Sequence, residues 1–244
     1  MPGPVRAVLA DLDDTLFDHR HATRRALAAL AAAETALTVW SPEELDERHA
    51  SILEHLHTEV LAGRRTIADA RRERFTRLLR EAGAAEPERR GREAAAVYRP
   101  AYERAWRAVP GALALVEAVA AQGVPLAIVT NNGVAEQRRK LARVGLERFV
   151  HVLVTSEQVG VSKPGRAIFE HALAAVGVEA ADAVMIGDAW TSDVVGARTA
   201  GIRAVWFNRL GLRSPDPDVA ELASLEPRDE ALRAILQNHR GSVA

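Results

Sequence analysis

The 244-residue sequence contains no cysteine, which excludes disulfide bonds, thiolate zinc sites and a cysteine nucleophile. It also lacks a charged-then-apolar leader and any apolar run approaching the ~18 residues of a membrane-spanning helix. We therefore expect a cytoplasmic protein without a membrane partner. The formal net charge is −1 and the isoelectric point is about 6.7, so the composition gives no reason to expect nucleic acid as a partner.

Lysine is nearly as scarce as cysteine, although basic residues are common. Lysine and arginine together number 32, yet the only lysines are Lys140 and Lys163. The chain therefore uses arginine almost wherever a positive charge suffices, and a lysine indicates a position that requires a compact ammonium group. For Lys163, in the segment Ser162-Lys163-Pro164, a surface charge before proline is the simpler alternative.

The segment Asp11-Leu12-Asp13-Asp14-Thr15 carries the most information in the chain. It follows an apolar run, Val5 to Ala10, that is typical of a buried parallel strand. Side chains alternate along an extended chain, so Asp11 and Asp13 can point into one crevice while Leu12 turns back to the core. The alternative is that both aspartates only stabilise a turn at the strand exit.

Two further apolar strands end in polar residues. Val124 to Val129 is followed by Thr130-Asn131, and Asp182 to Ile186 is followed by Gly187-Asp188 and then by Asp193. Open α/β sheets bind ligands at the carboxyl ends of their strands, so these segments favour a single site. Ordinary helix caps and turns would use the same residue types.

The spacing of the strands predicts one domain inserted into another. The first two apolar strands are separated by far more than the roughly two to six residues of an ordinary connection. Between them, residues 18–107 show apolar residues at helical spacing in the stretches Ala22–Leu37, Pro42–Leu61 and Thr66–Ala82. We expect a core domain of residues 1–17 and 108–244, interrupted by an α-helical domain at 18–107.

From Pro110 onward, helical and strand patterns alternate. The predicted strands are Val124–Val129, His151–Thr155, Asp182–Ile186 and Ile202–Phe207, with a short apolar piece at Glu221–Leu225. The predicted helices are Ala112–Gln122, Val134–Val144, Arg166–Val176, Ser192–Ala200 and Arg228–Leu236. Such alternation predicts an α/β fold with a doubly wound parallel sheet.

Taken in order, the polar segments resemble the four motifs of the haloacid dehalogenase superfamily, most of whose members are magnesium-dependent phosphohydrolases. The match runs from Asp11 to Asp193. The resemblance implies a Rossmann-like core and identifies the helical insertion as a cap over the site. The region from Gly187 to Arg209 looks most like nucleotidases, acylneuraminate-9-phosphatases and flavin mononucleotide phosphatases.

The resemblance also implies roles for the acidic residues. Asp11 is similar to the nucleophile that forms an aspartyl-phosphate. Asp13 is similar to the general acid that protonates the leaving group and then activates water. Asp11, the backbone carbonyl of Asp13 and Asp188 resemble a Mg²⁺ site made of hard oxygen ligands.

The remaining motif residues are implied to act on the phosphate or to support the site. Thr130, Asn131 and Lys163 resemble the phosphate-binding residues, with Lys163 also counted among the catalytic groups. Asp193 resembles a supporting carboxylate that reaches the metal through water or another residue. Thr15 either orients the first motif or bonds only within its own turn.

The implied function is Mg²⁺-dependent hydrolysis of a small phosphate monoester through an aspartyl-phosphate. A sugar-phosphate phosphomutase would carry the same four motifs. Dehalogenases of the superfamily attack carbon and lack the second aspartate, so Asp13 favours phosphorus. A non-catalytic binding protein is the third alternative, although it would be expected to have lost a key carboxylate. The motifs identify neither the particular ester nor an oligomeric state.

Overall fold

The computed structural model of the protein describes residues 4–237. Its contacts divide the chain into two units, one formed by Met1–Asp18 with Arg107–Ala244 and the other by His19–Trp106. The bounds of the second unit lie one residue inside the range 18–107 that the sequence predicts for the insertion.

The second unit is helical. Its helices are α1 (His19–Ala33), α2 (Pro42–Leu61), α3 (Ile67–Glu81) and α4 (Pro87–Arg104), with a 3₁₀ helix at Thr35–Val39. Helix α4 packs against α1 and α3, and α2 packs against the same two helices, so the four form a closed bundle. The predicted helical stretch Ala22–Leu37 is divided into two helices in the structure. Helix α1 ends at Ala33, and Glu34 then accepts the backbone N–H of Ala36 and caps the 3₁₀ helix.

Within the described residues, the first unit contains six parallel strands. They are β1 (Ala7–Ala10), β2 (Leu126–Thr130), β3 (Val150–Thr155), β4 (Ala183–Gly187), β5 (Arg203–Phe207) and β6 (Ala220–Leu222). Their order in the sheet is β3-β2-β1-β4-β5-β6. The chain therefore builds outward from β1 on one side and crosses back to β4 on the other. Sheets of this topology bind ligands where the strand order reverses, which here is at the carboxyl ends of β1, β2 and β4.

Helices cover this sheet and account for its apolar strands. They are α5 (Ala112–Ala121), α6 (Val134–Arg143), α7 (Ser156–Val159), α8 (Arg166–Val176), α9 (Gly196–Thr199) and α10 (Arg228–Leu236). Leu9 and Met185 from the strands pack with Phe169 of α8 in one buried cluster. The alternate residues Val8 and Val184 are buried as well, so both faces of the sheet are covered. The predicted doubly wound α/β fold is confirmed.

One predicted helix has a different start and a different geometry. Instead of Ser192–Ala200, the segment begins with a π-helix at Trp190–Val195 and continues as α9. Single π-helical turns of this kind often occur at functional sites. Here the wide turn contains Asp193, whose carboxylate folds back to accept the backbone N–H of Ala189 at 3.0 Å.

An ion pair inside the first unit joins the two points at which the chain passes to and from the second unit; Asp18 is buried and Arg107 is half exposed. Asp18 and Arg107 stand at the ends of the two core segments, and the backbone N–H of Asp18 donates to the Arg107 carbonyl at 3.0 Å. The Arg107 guanidinium contacts Asp18 Oδ2 at 2.7 and 2.9 Å, and Arg209 contacts Oδ1 at 3.2 Å. Although burial opposes it, these arginines hold the pKa of Asp18 below its ordinary value. No role for Asp18 was predicted from the sequence.

Candidate active site

Asp11 is held in place by a backbone hydrogen bond that extends the pairing of β1 with β4. The backbone N–H of Asp11 donates to the Ile186 carbonyl at 2.9 Å, one residue beyond the end of β1. Leu12 is fully buried, and its carbonyl accepts backbone N–H groups from the turn that follows. Asp14 takes the left-handed conformation in this turn, with φ 64°. The loop therefore turns tightly directly after Asp11 and Asp13.

Lys163 joins two of the predicted acidic residues. Its Nζ lies 2.6 Å from Asp11 Oδ1 and 2.7 Å from Asp193 Oδ1, and its side chain is only 2% exposed. Burial alone would lower the pKa of Lys163, but Asp11 and Asp193 together raise it above its ordinary value. The ammonium group is therefore charged at neutral pH, and the surface-charge alternative does not describe this residue.

Asn131 holds the backbone of Lys163. Its Oδ1 accepts the Lys163 N–H at 2.7 Å and its Nδ2 donates to the Lys163 carbonyl at 2.9 Å. This reciprocal pair connects the end of β2 to the loop before α8. A phosphate contact by Asn131 stays a prediction, since its side-chain amide is engaged with Lys163 in this structure.

Thr15 and Asp188 bring the first and last motifs together. Thr15 Oγ1 accepts the backbone N–H of Asp188 at 3.1 Å and lies 3.4 Å from Asp188 Oδ1 and 3.5 Å from Asp11 Oδ2. The Asp188 carbonyl accepts the indole N–H of Trp206 at 2.9 Å, and Trp190 packs edge-on against that indole. Thr15 therefore bonds across the site as well as within its own turn.

The carboxylates of Asp11, Asp188 and Asp193 offer oxygens within 4.8 Å of one another. Burial raises the pKa of Asp11 to about 7 and that of Asp188 to about 8, with neighbouring carboxylates adding to both shifts and Lys163 opposing them. Three carboxylates facing one ammonium group carry a local excess of negative charge. A small divalent cation with oxygen ligands fits such a donor set, in which Lys163 already engages Oδ1 of both Asp11 and Asp193.

A glycine permits the close approach of Asp193 to β4. A Cβ atom on Gly187 would lie 2.3 Å from Asp193 Oδ2 and 2.4 Å from its Cγ, so any larger residue must displace the carboxylate. Because Asp193 also binds Lys163, this displacement would be transmitted to the ammonium group.

We expect Gly187→Ala to lower turnover by about tenfold or more, because small displacements of positioning groups reduce rates strongly. Asp193→Ala and the double variant provide the matched comparison, measured as steady-state turnover beside melting temperature. If Gly187 acts through Asp193, adding Gly187→Ala to Asp193→Ala should cost little more. Full additivity of the two losses, or normal turnover in Gly187→Ala, would contradict this explanation.

Thr130 is buried at the end of β2 and is linked to α6. Its Oγ1 accepts a hydrogen bond from Gln137 Nε2 at 2.7 Å, which leaves its own hydrogen free to donate elsewhere. The first N–H of α6, on Val134, is taken by Glu157 at 2.9 Å. The Thr130 hydroxyl is therefore a candidate donor to phosphate, whereas the Val134 N–H is already engaged.

Two residues of α6 that the sequence analysis did not place in the site contact Asp13. Lys140 Nζ lies 2.6 Å from Asp13 Oδ1, and Gln137 Nε2 donates to Asp13 Oδ2 at 3.0 Å. Both side chains are almost fully buried. The scarcity of lysine was the available signal for Lys140, because both lysines of the chain are buried and each pairs with one aspartate of the first motif.

Comparison with known proteins assigns this geometry to a family. A model described as haloacid dehalogenase-like hydrolase matches residues 5–201. The chain belongs to the haloacid dehalogenase superfamily. The resemblance inferred from the motifs is thereby confirmed.

Curated members of the superfamily include phosphatases similar to this chain. A phosphoserine phosphatase of Thermus thermophilus is 40% identical over 146 residues, which is 60% of this chain and 57% of that protein. A ribulose-1,5-bisphosphate 5-phosphatase of Halopiger xanaduensis is 34% identical over 213 residues, covering 83% of this chain and 84% of that protein. This chain is a superfamily hydrolase of the phosphatase type.

A solved superfamily structure has the same overall fold. The HAD-hydrolase YfnB of Bacillus subtilis, bound to magnesium, aligns with a TM-score of 0.78 at 27% identity, over 95% of this chain and 100% of that one.

In the part of this chain that the structure describes, no helix has the length and apolar character to span a membrane.

Proposed function

We propose that this protein is a Mg²⁺-dependent phosphatase that hydrolyses a small phosphate monoester through an aspartyl-phosphate on Asp11. The observation that carries the proposal is the placement of Asp11, buried and 2.6 Å from Lys163, in a cluster of carboxylates that includes Asp188. The second aspartate, Asp13, follows two residues later on the same loop. A cytoplasmic location remains a prediction from the sequence.

Asp11 is the proposed nucleophile. One carboxylate oxygen attacks phosphorus, so a bond forms from Asp11 to phosphorus and the bond from phosphorus to the leaving oxygen breaks. Lys163 holds the Asp11 carboxylate in place, and its positive charge offsets the negative charge of the entering phosphate. The Thr130 hydroxyl, oriented by Gln137, donates to a phosphate oxygen.

Asp13 is the proposed general acid and base. It gives a proton to the leaving oxygen in the first step. In the second step it accepts a proton from the water that attacks the phosphorus of the aspartyl-phosphate. The products are an alcohol and inorganic phosphate, and both Asp11 and Asp13 return to their starting forms.

Asp11, Asp188 and the backbone carbonyl of Asp13 are the proposed Mg²⁺ ligands. When bound, the ion supplies positive charge that reduces repulsion between the carboxylate nucleophile and the phosphate and stabilises charge in the transition state. Asp193 binds Lys163 and is proposed to support these ligands without contacting the ion directly.

The substrate is proposed to be a small metabolite. The names of the two phosphatase relatives refer to phosphoserine and to a sugar bisphosphate, both of which are small phosphate esters. The helical unit His19–Trp106 is proposed to be the cap that determines which ester is accepted. Asp13, with its contacts from α6, argues against dehalogenation at carbon, since the dehalogenases lack this aspartate.

The test is a screen of phosphate release by the purified protein with Mg²⁺, with EDTA, and with Ca²⁺ in place of Mg²⁺. The substrates are phosphoserine, sugar phosphates, nucleoside monophosphates, flavin mononucleotide, a phosphopeptide and a 2-haloacid. We expect Mg²⁺-dependent release from at least one small ester, faster than from the peptide, and little turnover with Ca²⁺, which prefers more ligands at longer distances.

Several outcomes would contradict the proposal. Turnover that EDTA leaves unchanged would exclude the metal role, and faster release from the peptide than from every metabolite would exclude the small-substrate assignment. Halide release without phosphate release would indicate a dehalogenase, and dependence on an added sugar bisphosphate would indicate a phosphomutase.

A further inference from the structure

We propose that Lys140 and Gln137 on α6 are positioning residues for Asp13, which they hold in the orientation needed to transfer protons to and from the substrate. This inference rests on the proposed function, because it assigns Asp13 the general acid and base role. It concerns two residues that lie outside the four motifs.

The geometry fixes both oxygens of the Asp13 carboxylate. Lys140 Nζ is 2.6 Å from Oδ1, while Gln137 Nε2 is 3.0 Å and Asn132 Nδ2 is 3.4 Å from Oδ2. Donors on both oxygens prevent the carboxylate from rotating about its Cβ–Cγ bond. A proton donor held in one orientation contributes more to catalysis than one that must be ordered in each turnover.

Helical spacing places the two donors on one face of α6. Residues three apart in a helix are neighbours, so the side chains of Gln137 and Lys140 can both reach the loop after β1. The Lys140 ammonium also lies 4.8 Å from the ring centroid of Phe17, a residue of the same loop. The side chain is therefore packed between the ring and the carboxylate of one loop, which restricts its own motion.

Gln137 connects Asp13 to the predicted phosphate-binding residue. Its Nε2 carries two hydrogens, of which one is directed to Asp13 Oδ2 and the other to Thr130 Oγ1. The same amide thus orients the proton-transfer group and the hydroxyl that would donate to phosphate. A glutamine that only stabilised the helix surface would need neither of these two hydrogen bonds and would not be fully buried, as Gln137 is.

The choice of lysine at position 140 supports a specific role. Burying an ammonium group is costly unless it is paired, and arginine supplies the charge at nearly every other basic position of this chain. Each lysine pairs with one aspartate of the first motif: Lys163 with Asp11, and Lys140 with Asp13. Glu136 lies 3.7 Å from Lys140 and is the second carboxylate near that ammonium.

The test compares Lys140→Met with the wild type on two substrates of similar size, an alkyl phosphate and 4-nitrophenyl phosphate. Nitrophenolate leaves without needing a proton, whereas an alkoxide requires one from Asp13. The quantity to measure is kcat/KM, since it reports the steps up to release of the leaving group. We expect a loss of about tenfold or more for the alkyl phosphate and a clearly smaller loss for the aryl phosphate.

Two controls separate positioning from general destabilisation. Arg143→Met removes an exposed positive charge from the same helix and should leave kcat/KM unchanged for both substrates. In the Asp13→Asn background, Lys140→Met should cause almost no further loss, because the two residues act through one carboxylate. Gln137→Met provides a second variant with the same expected substrate dependence if Lys140→Met folds poorly.

An unfolding measurement tests the contact without relying on activity. Urea denaturation of the wild type, Asp13→Asn, Lys140→Met and the double variant gives the coupling between the two side chains, expected to be on the order of tenfold in the unfolding equilibrium constant. Absence of coupling would overturn the inference whatever the activity. Coupling with equal losses on both substrates would also overturn it, because the pair would then be structural only.

Failure of the proposed function has a separate signature. A wild-type protein that folds and shows the coupling but releases phosphate from no ester would refute the phosphatase proposal, and with it a proton-transfer role for Asp13. An active wild type whose Lys140→Met variant behaves as Arg143→Met does would refute the positioning role alone.

Discussion

Replacing Asp11 with asparagine is expected to lower phosphate release by at least about a thousandfold, which corresponds to ~4 kcal/mol of transition-state stabilisation at about 1.4 kcal/mol per factor of ten. An amide can neither attack phosphorus as an anion nor serve as an anionic metal ligand. Asp11 lies one residue beyond the end of β1, and asparagine is nearly isosteric with aspartate, so the change should leave the fold intact. Initial rates on the best ester from the screen provide the measurement.

Asp182→Asn is the matched control for this prediction. It makes the same chemical change at the amino end of β4, away from the strand exits, where Asp182 pairs at 3.5 Å with the exposed Arg6. Near wild-type rates are expected for this variant. Retention of more than a few per cent of activity in a clean Asp11→Asn preparation would refute the assignment of Asp11 as nucleophile.

Lys163→Arg is expected to lower turnover by at least about tenfold although it preserves the charge. The Lys163 ammonium fits between Asp11 and Asp193 at 2.6 and 2.7 Å in a fully enclosed position. A guanidinium group is larger and planar, so it cannot occupy this space without moving at least one carboxylate. Melting temperature should be measured alongside kcat to detect loss of folding.

The reverse exchange, Arg166→Lys, is the control for the charge chemistry. Arg166 lies three residues later in the sequence, is exposed, and pairs with Glu170 on the surface of α8. Its replacement should change turnover little, because an exposed ion pair of this kind contributes little. Wild-type turnover in Lys163→Arg would mean that this position needs only a positive charge.

The alternation of strands and helices could be predicted from the sequence because the central strands are short, apolar and buried on both faces. The helices Pro42–Leu61, Arg166–Val176 and Arg228–Leu236 have the bounds that periodicity and caps indicated. Asp11 and Asp188 could be grouped because the carboxyl ends of neighbouring parallel strands meet at one edge. Their proximity in the structure follows from the strand order around β1. Lys163 follows no strand and was grouped with them through the motif resemblance and its compact ammonium group.

The contacts of Asp13 could not be predicted in the same way. Lys140 and Asp13 are separated by 127 positions, and no motif spacing indicates which face of α6 turns toward the loop after β1. The π-helical turn at Trp190–Val195 was also missed, because helical periodicity does not distinguish a widened turn from a regular one. Both features depend on side chains that meet only after the sheet has formed.

The proposed covalent mechanism is tested most directly by trapping the phosphorylated enzyme. Asp13→Asn should form the aspartyl-phosphate from an aryl phosphate, whose leaving group needs no proton, but should hydrolyse it slowly because the base is absent. Acid quenching in the presence of Mg²⁺, followed by peptide mass spectrometry, identifies the residue that carries phosphate. We expect phosphate on Asp11 and on no other residue, whereas phosphate on a different side chain, or rapid turnover of Asp13→Asn with no phosphorylated peptide, would contradict the proposed mechanism.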